Sequence, residues 1–431
     1  MSSKPFALGA AVALALCLGC DAAGEAPIPA FADGGLLRLG PSLPQSGHVG
    51  LEGRFVLDQG TSLLGPDVVL TTGKGTITLS SGKEAAVVAL EGACLPNDRL
   101  VLEGHWRYPR GRDVGLVRLE LEDEEAARDL CAGGATQRPL VFAGAWGTGS
   151  RSPESPLELR YDAPLIPYRG RFFSVAHHGA CEPSDSCGVS PNTLETILLS
   201  ERYGATAMEV DVRATGDGVP ILFHDPAFNS SSTRGVFCQG GVDAQTFDQV
   251  EANCRLAHGE KIPTLEQALD LLLDNTLMDF VYLDMKVPEA VAPAIELALA
   301  INERAAEAGR SFRAVVALTK DSVTQEWLEV AADADEMPPC LVEYDPDLVV
   351  SLGCIVWGPT WTGGPRTDDV EKVRAAGART IYWTLNDENF IEQFLRSANP
   401  DGAITSRTGL LMYLYQKVGQ VPPEVADPAS P

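Results

Sequence analysis

The chain has 431 residues, 45% of them hydrophobic, and a formal net charge of −26 at pH 7. That length accommodates two domains and a targeting segment, and the composition is globular without an internal repeat. So acidic a chain is excluded from holding nucleic-acid backbones or anionic membranes by bulk electrostatics, while a local cationic or metal-bearing pocket stays compatible with it.

Residues 1–20 read as an export signal. Lys4 supplies a positive charge, and the run from Phe6 to Leu18 is nearly all apolar but too short for an ordinary transmembrane helix. It ends Cys17-Leu18-Gly19-Cys20, a small residue before a cysteine, as at the cleavage and lipidation site of bacterial lipoproteins. The expectation is an exported protein, anchored through a lipid on Cys20 or else secreted or periplasmic, which touches a membrane only through that anchor. No later segment reads as a bilayer span. Residues 21–45, rich in Ala, Gly and Pro, read as a flexible linker. Beyond Cys20 eight cysteines remain, an even number that suits a disulfide framework. Pairing by locality gives Cys94–Cys131, Cys181–Cys187, Cys238–Cys254 and Cys340–Cys354.

Residues 46–160 carry short alternating runs broken by Gly, Pro, Asp and Asn. The stretches 68–72, 75–81, 84–92, 99–108, 114–122 and 140–146 read as strands of a small all-β sandwich or barrel of unknown role. His48 and His105 are isolated there and read as structural. Residues 148–156 are turn-rich and lie near the domain boundary.

From Phe172 the period changes, and short apolar strands alternate with helices over residues 170–420, ahead of a Pro-rich tail at 421–431. Eight strands with helices between them predict a (β/α)8 barrel, with a β-hairpin as an excursion after its second strand. Such barrels carry their chemistry at the C-terminal ends of the strands. The hairpin is the segment from Glu209 to Asp225, EVDVRATGDGVPILFHD. Asp217-Gly218 reads as a two-residue turn, which pairs Gly216 with Val219 and sets Asp211 opposite His224. Glu209 then points to the same face as Asp211.

Marking the strand ends gathers His177 and His178, Glu209 and Asp211, Asp284 and Lys286, and Trp383 on one rim. Three carboxylates make a hard, oxygen-rich site that suits Mg²⁺ or Ca²⁺ better than zinc. Two histidines beside such a metal can serve as general base and general acid. Lys286 offers positive charge to a phosphate, and the set points to phosphoryl chemistry. Trp357, Trp361 and Trp383 fall near strand ends, where either a pocket or the barrel core accounts for them. Asp225 either orients His224 or caps the following turn, and His258 reads as an incidental loop residue.

From about Phe172 to Leu411 the chain resembles the glycerophosphodiester phosphodiesterase family. The resemblance rests on AHHG (176–179), PNTLE (191–195), MEVDV (208–212), T-x-DG-VPILFHDP (215–226), IPTLEQAL (262–269), LDMK (283–286), YWTLND (382–387) and DGAITSR (401–407). It implies a TIM-type barrel, one divalent cation, and cleavage of a glycerophosphodiester to an alcohol and glycerol phosphate. His177 and His224 match the catalytic histidines, and Glu209, Asp211 and Asp284 match metal ligands. Lys286 matches the lysine near the phosphate, and His178 stands where the family usually has a phosphate-holding Arg. The usual Pro-Glu-Asn-Thr is here Ser190-Pro191-Asn192-Thr193, which keeps Asn192 as a candidate pocket residue and loses the Glu. The Asp-x-Lys at Asp284 also occurs in the related sphingomyelinase D-like phospholipases. An enzyme of that kind, acting on lysophospholipids or sphingolipids, is the alternative expectation, and a catalytically inactive surface binding protein is a further one.

Overall fold

The computed structural model describes residues 28–111, 113–167, 172–180 and 188–418. The expected export signal with Cys20, the Cys181–Cys187 pair and the 421–431 tail lie outside the described residues. Among the described residues no helix is long and apolar enough to cross a membrane.

The first domain is a closed antiparallel barrel of eight strands in chain order. They are β1 (Gly53–Gln59), β2 (Asp67–Thr72), β3 (Ile77–Ser80), β4 (Val87–Leu95), β5 (Arg99–Arg107), β6 (Val114–Leu121), β7 (Val141–Trp146) and β8 (Ser155–Ala163). Alternate side chains, among them Phe55, Leu70, Leu79, Val88, Val117, Phe142 and Leu159, fill its interior. The sequence reading lacked β1 and β8, the pair that closes the barrel. Residues 148–156 misled it because Pro156, which has no N–H to donate, opens β8 rather than interrupting it. Two short helices, α1 (Gln45–Val49) and α2 (Thr61–Leu64), flank β1, and α3 (Glu124–Cys131) starts on an Asp123 cap and is tied to β4 by Cys94–Cys131. The expected linker is folded at least from residue 28. Leu43 is buried, its N–H donates to the Gly92 carbonyl, and Ser42 bridges Ala93.

The second domain is the expected (β/α)8 barrel. Its parallel strands are β9 (Phe173–Ala176), β10 (Ala207–Ala214), β16 (Phe280–Met285), β17 (Arg313–Leu318), β18 (Cys340–Val342), β19 (Val356–Trp357), β20 (Arg379–Tyr382) and β21 (Gly402–Thr405), which returns to β9. Between β10 and β16 lie β11 (Pro220–Leu222), antiparallel to β10, and the short β12 (Ala227–Phe228), β13 (Thr233–Arg234), β14 (Gly240–Gly241) and β15 (Arg255–Leu256). The helices are α4 (Leu194–Arg202), α5 (Phe247–Asn253), α6 (Leu265–Asn275), α7 (Val291–Glu307), α8 (Asp321–Asp333), α9 (Pro346–Leu352), α10 (Thr367–Ala375), α11 (Glu388–Ser397) and α12 (Thr408–Val418). The motif threonines act as helix starts: Thr193 and Thr264 close capping boxes on α4 and α6. Cys238–Cys254 and Cys340–Cys354 form as expected.

The hairpin register differs from the sequence reading by one residue. Val212 pairs with Leu222 and Ala214 with Pro220. Thr215 explains the shift. Its N–H donates to the Val219 carbonyl, and its hydroxyl accepts from the Val219 N–H. Gly218, at φ 83°, takes the left-handed position that closes a three-residue loop. Asp211 therefore faces Phe223, whose N–H donates to the Asp211 carbonyl, and His224 lies just beyond the ladder.

The two barrels meet through α4 and α12. Tyr413 donates to Asp67 at 2.7 Å, Arg202 pairs with Glu91 at 2.7 Å, and Arg107 lies over the Tyr203 ring. Tyr203 and Gly204 precede the N-terminal end of β10, so the contact sits opposite the strand ends that carry the carboxylates.

Candidate active site

Alternation along the parallel strands decides which side chains enter the second barrel. Val175, Ala207, Tyr282, Ala317, Leu341, Ile381 and Ile404 belong to its buried interior cluster. Two residues further along, the same face reaches the C-terminal mouth as His177, Glu209, Asp284, Thr319, Glu343 and Trp383. Parallel pairing sets Asp211 beside Asp284.

Glu209, Asp211 and Asp284 each offer an oxygen within 4.8 Å of the others. Lys286 Nζ sits 2.7 Å from Asp211 Oδ1 and 2.6 Å from Asp284 Oδ2. Asn192 pins Asp211 twice: its Nδ2 donates to Oδ2 at 2.6 Å, and its Oδ1 accepts from the Asp211 N–H at 3.1 Å. The backbone N–H of His178 donates to Glu209 Oε2 at 2.8 Å. Both supports depend on left-handed residues, His178 at φ 34° and Asn192 at φ 58°.

One ammonium faces three carboxylates, of which Glu209 and Asp211 are buried and Asp284 is partly buried. Burial, then Asp211 and Asp284, pushes the Glu209 carboxyl well above its ordinary range. Burial, reinforced by Asp211, also raises Asp284, against the pull of Lys286. At Asp211 burial is outweighed by Lys286 and His178, and its pKa falls. Burial works against the Lys286 ammonium too, yet the three carboxylates hold its pKa above normal. The cluster thus gathers more carboxyl groups than its one ammonium can neutralise, so Glu209 and Asp284 hold their protons more tightly than usual, and its all-oxygen donor set fits a divalent cation.

His177 is held neutral. Burial, then His178, lowers its pKa to about 3, and its Nδ1 is buried without a hydrogen bond. His224 is exposed, with Nδ1 2.9 Å from Asp225 Oδ1, and Asn229 donates to the second Asp225 oxygen. Asp225 therefore orients the imidazole, and its own pKa is lowered first by that hydrogen bond.

Two cavities meet at this cluster. One, of about 380 Å³, is lined by His177, Glu209, Asp284, Lys286, Glu343 and Trp383. The other, of about 630 Å³, is lined by His178, Asn192, Asp211, Asp225 and His258. His224 borders both.

Trp357 is the misplaced candidate. Its neighbour Val356 points into the barrel, so Trp357 points out among the helices, fully buried beneath the Arg366 guanidinium. Trp361 packs on Phe390. His258 is not incidental, since its Nδ1 lies 3.0 Å from the Ser190 hydroxyl, which also donates to Glu260 at 2.8 Å. The sequence reading missed Glu343, whose carboxylate accepts the Tyr282 hydroxyl. Burial, then Asp284, raises the Glu343 pKa to about 8. Its spacing of two from Leu341 was the available signal.

The model of the glycerophosphoryl diester phosphodiesterase family matches residues 186–410. The chain is 28% identical over 261 residues to the "Probable glycerophosphodiester phosphodiesterase 2" of Mycobacterium tuberculosis, covering 58% of this chain and 93% of that protein. To the human glycerophosphodiester phosphodiesterase 1 it is 34% identical over 120 residues, 26% of this chain and 34% of that one. A solved glycerophosphodiester phosphodiesterase from Parabacteroides distasonis aligns over 58% of this chain and all (100%) of its own, at 20% identity and a TM-score of 0.44.

Proposed function

We propose, for a chain that belongs to the glycerophosphoryl diester phosphodiesterase family and is therefore a phosphodiesterase, that its substrates are small glycerophosphodiesters, cleaved to an alcohol and glycerol phosphate. The observation that carries the reading is the convergence of Glu209, Asp211, Asp284, Lys286, His177 and His224 on one barrel mouth. Glu209, Asp211 and Asp284 hold one divalent cation, Mg²⁺ or Ca²⁺. When bound, that ion supplies Lewis-acid charge to the phosphoryl oxygens.

Lys286 adds a fixed positive charge to the same oxygens. His177, neutral at physiological pH, takes the proton of the glycerol hydroxyl next to the ester as that oxygen attacks phosphorus. His224, steadied by Asp225, gives a proton to the leaving alcohol oxygen. A cyclic phosphate forms, and water opens it with the proton transfers reversed. His178 offers its backbone N–H to Glu209, and its ring lines the second cavity beside the phosphate.

Phosphorus NMR of glycerophosphocholine, glycerophosphoethanolamine and lysophosphatidylcholine, with Mg²⁺, Ca²⁺ or chelator, tests this. Glycerol phosphate is expected only with metal, and His177→Ala or His224→Ala lowers kcat by about 10²–10⁴-fold. Turnover of lysolipid alone shifts the assignment to a phospholipase D-like enzyme.

Export belongs to the same proposal. Three disulfides in the described residues suit an oxidising compartment. Labelled fatty acid is expected to enter the protein through Cys20, and incorporation that persists in Cys20→Ser contradicts the anchor.

A further inference from the structure

Glu343 is a carboxylate that the mechanism above leaves unused. It follows β18 on the barrel's inner face, two residues beyond the buried Leu341. It lines the same cavity of about 380 Å³ as His177, Glu209, Asp284 and Lys286. Tyr282, fully buried two residues before Asp284, donates its hydroxyl to Glu343 Oε1. That bond fixes the carboxyl in the mouth. The other carboxyl oxygen has no hydrogen-bond partner among the described residues. A polar side chain held in a cavity wall with one oxygen unused is built to meet a polar group that arrives there.

The proton path says which half of the substrate that is. The attacking hydroxyl belongs to the glycerol moiety, and its proton goes to His177, which lines the smaller cavity. The leaving alcohol takes its proton from His224, which borders both cavities, and with the glycerol side taken by His177 the larger space of about 630 Å³ is left for it. A phosphodiester lying across the carboxylate cluster thus places its glycerol beside Glu343. One glycerol hydroxyl attacks phosphorus, and the terminal hydroxyl remains to be read.

We propose that Glu343 is a specificity-determining residue that hydrogen-bonds the terminal hydroxyl of the glycerol moiety through its unused carboxyl oxygen, with Tyr282 as its positioning partner. This rests on the glycerophosphodiesterase reading and adds what recognises the glycerol. A site that pairs a buried group with a substrate hydroxyl rejects an analogue lacking that hydroxyl, because the protein group is then left unpaired.

The test compares glycerophosphocholine with 2-hydroxyethyl phosphocholine, which keeps the attacking hydroxyl and lacks the hydroxymethyl group. The metal-loaded full chain is expected to favour glycerophosphocholine by at least about 10-fold in kcat/KM. Glu343→Leu is expected to raise the KM for glycerophosphocholine about 10-fold or more and to leave the two substrates within about 3-fold of each other. Glu343→Gln keeps an acceptor for Tyr282 and a polar group toward the cavity, and retains most of the preference. Equal losses on both substrates in Glu343→Leu, or an unaltered preference, overturn the role of Glu343 and leave the activity standing. A native chain that binds metal yet turns over neither substrate overturns the activity reading and this one with it.

Discussion

The molecule contains two eight-stranded barrels that spend their interiors differently. The antiparallel barrel is filled with apolar side chains such as Phe55, Leu79 and Phe142, and its buried Glu103 and Arg107 lie on the alternate face. Glu103 there accepts the Leu36 N–H and an Arg118 ion pair, and Arg107 covers Tyr203. The parallel barrel starts the same way, with Val175, Ala207 and Leu341 inside, and then turns acidic within two residues. Shape and strand number do not make a site. What differs is that the parallel barrel aims eight strand ends at one mouth, where like charges can be held together by the stable packing below them.

The largest effect should come from the mouth. Glu209→Gln is expected to lower kcat by about 10³-fold or more, the several kcal/mol of charge stabilisation that a bound metal supplies. Because Glu209 is a buried carboxylate beside two others, the same change should hold or raise the melting temperature of the chelated protein. A calorimetric scan with chelator checks this, and a marked drop in melting temperature breaks the contrast between the two interiors.

Phe142→Ala probes the other interior. It should cost the first barrel about 3–5 kcal/mol in denaturant unfolding, as for a fully buried aromatic, without altering kcat of the folded chain. A fall in kcat at temperatures where the variant is folded would join the two barrels functionally.

The smallest effect is one of pH. The Glu343 carboxyl has its pKa raised from 4.5 to about 8 in the folded protein. A raised folded pKa contributes stability that is complete below the unfolded value and is lost as pH rises through the folded one. Chelated protein should therefore lose stability between about pH 4.5 and 8, and Glu343→Gln should flatten that loss by on the order of 1–3 kcal/mol. Urea unfolding at three pH values measures it, and an unchanged slope places Glu343 in contact with solvent.

Much of this was legible in the sequence because it was local. His177, Glu209, Asp211, His224, Asp284 and Lys286 each sit in a short motif at a strand end. Cys94–Cys131, Cys238–Cys254 and Cys340–Cys354 each join near neighbours in the chain. What was missed needed context. The hairpin register turned on the Thr215 hydroxyl, which competes for the Val219 N–H and enlarges the loop. Nearness to a strand end left Trp357 open between pocket and core, and alternation from Val356 decides it by turning Trp357 outward among the helices. Glu343 stands alone after an apolar strand, and only the cavity shows its company. His258 gains its neighbours through Ser190, 68 residues away in the chain.

The acidic mouth of the parallel barrel is proposed to work through one bound cation. The direct test strips the protein with chelator, returns Mg²⁺ or Ca²⁺ in substoichiometric steps, and follows glycerophosphocholine cleavage in the native chain and in Glu209→Gln. Activity is expected to return in proportion to the metal added, to level off at one ion per chain, and to fail to return in the variant. Full activity in the stripped protein, or equal recovery in Glu209→Gln, contradicts it.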